Sequence, residues 1–84
     1  MKNLGPVSRG WLSAIGIHTL GELADVGSIT AYRLIRQHGH RANLNLLYAL
    51  EAALRGCHWQ ALDPATRASL QAAGRQIAAE LKAG

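Results

Sequence analysis

Apolar residues recur along this chain at helical spacing, and glycine, proline and short polar side chains interrupt them at intervals. Gly5-Pro6 opens a first helix, with Pro6 suited to the first helical position, where its missing N–H costs nothing. Val7, Trp11, Leu12 and Ile15 then share one face, and Gly16 can close the helix in a left-handed conformation. A short second helix begins at Thr19, which forms a capping box with Glu22. Its packing residues are Ile17, Leu20 and Leu23, and it stops near Gly27.

Ser28 is a good N-cap for a third helix, Ile29 to Gln37, which buries Ile29, Tyr32 and Ile35 with Leu34 beside them. His38 to Ala42 reads as a polar, basic loop. Asn43 then caps a fourth helix, Leu44 to Leu54, apolar over much of its circumference through Leu44, Leu46, Leu47, Tyr48, Leu50 and Leu54. A helix apolar on most sides is expected to be central. Gly56 ends it, Cys57 to Leu62 forms a turn, and Asp63-Pro64 starts a fifth helix running to about Leu81 with Leu70, Ala73, Ile77 and Leu81 in one stripe. Nowhere does a period-two alternation of β-branched residues persist. The pattern predicts an all-α, compact five-helix domain, a single unit over residues 1–84.

Composition supports that reading. Of the 84 residues 49% are hydrophobic, much of this alanine and leucine, with no phenylalanine, which favours helices over strands. A chain this short buries only about 60–65% of its unfolded surface, so the core is thin. One cysteine, Cys57, excludes an intramolecular disulfide, and no apolar run suits a signal peptide or a membrane span. The expected setting is the cytoplasm, with no membrane contact. Nine Lys and Arg against five Asp and Glu give a net charge of +4, which suits either a polyanionic partner or ordinary solubility.

Candidate chemistry concentrates between Leu12 and Ile35. The stretch Leu23-Ala24-Asp25-Val26-Gly27-Ser28-Ile29-Thr30-Ala31 resembles a helix-hairpin-helix joint, in which glycine admits a phosphate and the next helix start offers it N–H groups. Gly27 and Ala31 match that pattern, whereas Asp25 replaces its first glycine with a carboxylate that would repel phosphate. The plain alternative is a compact helix–helix joint with Gly27 and Ser28 as caps. Arg33 and Arg36, one turn apart, could straddle a phosphate backbone with Arg41 nearby, or could stand solvated. Gly27, Ser28, Arg33, Arg36 and Arg41 are therefore the candidate nucleic-acid residues. Trp11 and Trp59 are core-edge anchors or centres of a protein interface.

Metal binding and catalysis find little support. His38, His40, Cys57 and His58 are ligand types without a finger spacing, so no metal or cofactor is expected. The acids are scattered, Glu22 and Asp25 coming closest, and no nucleophile elbow, phosphate loop or dinucleotide fingerprint occurs. An enzyme is not expected.

Several segments together carry a family resemblance. They are Leu4-Gly5-Pro6-Val7-Ser8 with Trp11-Leu12, Ile15-Gly16-Ile17-His18-Thr19-Leu20, Ala31-Tyr32-Arg33, Asn45-Leu46-Leu47-Tyr48-Ala49-Leu50-Glu51 with Ala53-Leu54, and Gly56-Cys57-His58-Trp59. Over roughly residues 3 to 75 the chain resembles the C-terminal domain of TfoX (Sxy), the bacterial regulator of natural competence. The resemblance implies a bacterial cytosolic protein, a helix-hairpin-helix-like core and a role in gene regulation. Those regulators carry an additional N-terminal domain, so a stand-alone C-terminal-type protein is expected. Its candidate partners are DNA or a transcription-related protein, and its expected state is a monomer or homodimer.

Overall fold

The computed structural model describes residues 4–83, and every regular element among them is helical. The helices are α1 (Pro6–Ala14), α2 (Leu20–Val26), α3 (Ser28–Gln37), α4 (Leu44–Arg55) and α5 (Pro64–Ala83), with one 3-10 turn over Trp59–Ala61. No described helix is long and apolar enough to cross a membrane.

Local chemistry sets these boundaries. The Thr19 hydroxyl accepts the Glu22 N–H at 3.1 Å, while Glu22 Oε1 accepts the N–H groups of Thr19 at 3.0 Å and His18 at 2.8 Å. That capping box satisfies donors at the start of α2 that would otherwise lack partners. Gly56 ends α4 in the left-handed region, at φ 68° and ψ 29°. Asp63 Oδ2 accepts the Thr66 N–H at 3.1 Å, and Pro64 opens α5.

The apolar stripes converge on α4, which buries Leu46, Leu47, Tyr48, Leu50, Ala52 and Ala53 and packs against α2, α3, α5 and the 3-10 turn. Leu12, Leu23, Ile35, Leu47, Leu50 and Ile77 are fully enclosed. Each such side chain stabilises the fold by about 1.5–3 kcal/mol relative to exposure. Ile35 brings α3 into the core, and Leu70 with Ile77 brings α5.

Three local expectations need correction. Val7 is 65% exposed, because it stands five residues before the buried Leu12 and thus about 140° round the helix from it. Leu20 is 44% exposed, since as the first residue of α2 it precedes the turn that carries Leu23 inwards. Ser28 is not an N-cap. Gly27 takes that position at φ 90° and ψ 152°, a region open essentially to glycine alone, and Ser28 is the first helical residue. Asn43 does occupy the N-cap position of α4, although its side chain makes no capping hydrogen bond.

Candidate functional site

Only Gly27 separates α2 from α3. Its N–H donates to the Leu23 carbonyl at 2.7 Å, and its carbonyl accepts the Ala31 N–H at 3.0 Å, so one residue ends one helix and starts the next. Ser28 is 5% exposed, and its hydroxyl donates to Glu51 Oε1 at 2.7 Å. The other carboxylate oxygen of Glu51 accepts from Arg55 Nε at 2.7 Å. Burial pushes the Glu51 carboxyl up, but the hydrogen bonds from Arg55 and Ser28 outweigh it and hold the group below its ordinary range. A carboxylate thus stands at the head of α3, where the helix dipole favours negative charge.

The three candidate arginines differ in their partners. Arg33 Nε donates to Glu80 Oε1 at 3.1 Å, which ties α3 to α5. Arg36 Nη1 donates to the Tyr32 hydroxyl at 3.1 Å and the Ala42 carbonyl at 3.2 Å, and its guanidinium lies 5.9 Å from the Tyr32 ring centroid. It fastens the α3–α4 loop to α3. Arg41 is exposed and makes no ion pair among the described residues. Arg36 also lies eight residues along α3 from Ser28, about 12 Å at helical rise.

The tryptophans occupy different surroundings. Trp11 is half-buried against the core, and its ring stacks on His40 with centroids 5.5 Å apart. Trp59 is 37% exposed on the 3-10 turn, with the Arg67 guanidinium 5.8 Å from its ring centroid. Arg67 also donates to the carbonyls of Leu62, Trp59 and Gln60 and lies over Tyr48, so it fixes the whole turn.

The metal-ligand residue types are dispersed. His38 Nδ1 is 2.9 Å from the Leu34 carbonyl, His40 stacks on Trp11, His58 Nδ1 accepts the Gln60 N–H, and Cys57 packs against the core. Among the described residues no group of three His, Cys, Asp or Glu is placed to hold a metal ion.

One surface escaped the sequence reading. Gln71, Arg75, Ala78 and Lys82 follow one another at i, i+4, i+7 and i+11, a single flank of α5. Beside it lies an apolar depression of about 190 Å³ lined by Tyr32, Leu44, Gln71, Gly74, Arg75 and Ala78. A second, of about 400 Å³, is lined by Arg36, Gly39, His40, Arg41, Ala42 and Leu81. Tyr32 and Arg36 are hydrogen-bonded, Ala42 leads into Leu44, and Ala78 and Leu81 are one turn apart, so the two depressions are neighbours, together termed the trough. The sequence clue was Gly74, a glycine beside the apolar stripe of a long helix. A Cβ there would stand 3.2 Å from Leu44 Cδ1, which marks how closely α5 approaches α4.

The family model of the TfoX C-terminal domain matches residues 1–73. A crystal structure of a protein of unknown function from Listeria monocytogenes is similar over 90% of this chain and 93% of that one, with 36% identity and a TM-score of 0.86. No curated protein matches.

Proposed function

The chain belongs to the TfoX C-terminal domain family, and from that membership we propose that it is a non-catalytic, cytoplasmic binding module of bacterial gene regulation that holds a protein partner rather than duplex DNA. The observation that carries this reading is the Glu51 carboxylate on Ser28. A phosphate at the head of α3 would meet that charge directly, and Arg33 and Arg36 are already engaged by Glu80, Tyr32 and Ala42. Four of the five carboxylates already have structural roles, which supports the non-catalytic reading. Glu22 and Asp63 cap helices, Glu51 and Glu80 are paired with arginines, and Asp25 stands exposed on α2.

Competence or another transcriptional process is the setting the family suggests. A nucleic-acid role is the second reading. It is favoured by the net charge of +4 and by Arg9, Arg41, Arg75 and Lys82, all exposed and without ion pairs among the described residues. Fluorescence anisotropy of a labelled generic duplex, titrated with the protein at about 50 and then about 200 mM salt, separates the two. The protein-partner reading expects no rise at either salt. Binding that weakens steeply across that range overturns it.

A further inference from the structure

The trough between α5 and the α3–α4 loop combines an apolar end with a cationic end, and no acidic side chain lines either. We propose that it seats an acidic amphipathic segment of a partner protein. One apolar side chain enters the depression at Tyr32, Leu44, Gly74 and Ala78, and the segment's carboxylates lie against Arg75 and Arg41. The proposal rests on the protein-partner reading above and names the chemistry of that partner.

Charge complementarity selects the occupant. Arg75 and Lys82 share the exposed flank of α5, and Arg41 stands at the other end of the trough. The acid nearest in sequence, Glu80, lies off that flank and is neutralised by Arg33. A partner carrying carboxylates therefore meets attraction along the whole trough. Arg36 adds a further positive charge at the cationic end, its position fixed by the Nη1 bonds to Tyr32 and Ala42.

The apolar end decides between macromolecules. A single strand of nucleic acid needs an aromatic face for stacking. Tyr32 at the apolar end is only 2% exposed, and the His40 ring at the other end is already stacked on Trp11. Gly74 and Ala78 instead leave the space that a branched aliphatic side chain fills, as in the seating of an amphipathic helix in a groove. A second copy of this chain is a poor occupant. Four of its five acids are committed to caps or ion pairs, so it presents no acidic amphipathic stripe of its own.

The test is an amide-resolved NMR titration of the full chain with a short helical peptide of leucine and glutamate. Its leucine–lysine counterpart and a generic DNA duplex serve as comparisons. The proposal expects shifts centred on Tyr32, Leu44, Gly74 and Ala78 with the glutamate peptide, and weaker binding of the lysine peptide. Arg75→Glu and Ala78→Glu should each weaken the glutamate peptide about tenfold or more, the effect of losing roughly 1.4 kcal/mol. Both positions are exposed, and unchanged amide shifts elsewhere show that the variants remain folded. Equal binding of the lysine peptide, shifts mapped to another surface, or no shifts at all overturn the trough proposal while leaving the protein-partner reading standing. Shifts at Arg41, Arg75 and Lys82 with duplex alone overturn both.

Discussion

The hydroxyl of Ser28 donates to the carboxylate of Glu51 at 2.7 Å across 23 positions of sequence, joining the first residue of α3 to the middle of α4. Ser28 is buried and Glu51 is half-buried, so a lost partner is not fully replaced by water. Ser28→Ala and Glu51→Ala should each cost about 1–3 kcal/mol in urea unfolding. The double variant should cost less than the sum, because both changes remove the same bond. Full additivity would mean that the two groups act independently.

Acid should unfold this protein through its carboxylates. The Glu22 carboxyl is held below its ordinary value of 4.5, first by the His18 N–H, and Asp63 below 3.8, first by the Thr66 hydroxyl. For Glu51, burial works upward, yet hydrogen bonds from Arg55 and Ser28 prevail and it too is lowered from 4.5. A carboxylate whose folded value is depressed contributes stability that is present above its unfolded value and lost as pH falls through the folded one. Thermal midpoints should therefore be insensitive to these groups at neutral pH and should fall progressively below about pH 4.5. In Glu51→Gln the decline should be shallower, since one of the three groups no longer titrates.

Which features were legible in the sequence follows from the reach of each interaction. Thr19 and Glu22 are three residues apart and act on each other's backbone, so their capping box could be read directly. The apolar circumference of α4 likewise announced a central helix. Ser28 was misread as a cap because its hydroxyl answers to Glu51, a partner no local rule reveals. Arg33 and Arg36, which the sequence leaves as either phosphate-straddling or solvated, have partners that no local rule reveals. The first is claimed by Glu80, 47 positions on, and the second by the Ala42 carbonyl across a loop. The trough was hidden because its walls come from α3, α4 and α5 together, with only Gly74 hinting at it.

Arg67 should prove the main support of the 3-10 turn. It donates to three carbonyls, Leu62, Trp59 and Gln60, and covers the rings of Tyr48 and Trp59. Arg67→Ala should destabilise by about 1–3 kcal/mol and move the Trp59 emission to longer wavelength. Lysine should not restore the native spectrum, since a single ammonium cannot serve the guanidinium's several donor directions. A fully rescued Arg67→Lys would show that charge over the rings, rather than the carbonyl bonds, holds the turn.

Two helical glycines should separate stability from binding. Gly10 lies within α1, and a Cβ added there meets nothing within 4 Å. Gly10→Ala should stabilise by about 0.8–1 kcal/mol, the difference in helix propensity. Gly74 gains the same propensity, but its Cβ would stand 3.2 Å from Leu44 Cδ1. That methyl is the far end of a half-buried side chain and can give by the few tenths of an ångström needed. Gly74→Ala should therefore stabilise by less, about 0.5 kcal/mol. It also narrows the trough at its apolar end, so the glutamate peptide should bind it more weakly, whereas Gly10→Ala should bind as the unaltered protein does. Urea midpoints and peptide titrations on the same two variants read both effects. A Gly74→Ala protein that loses stability would mean that Leu44 is locked in place and that α5 tolerates no side chain there.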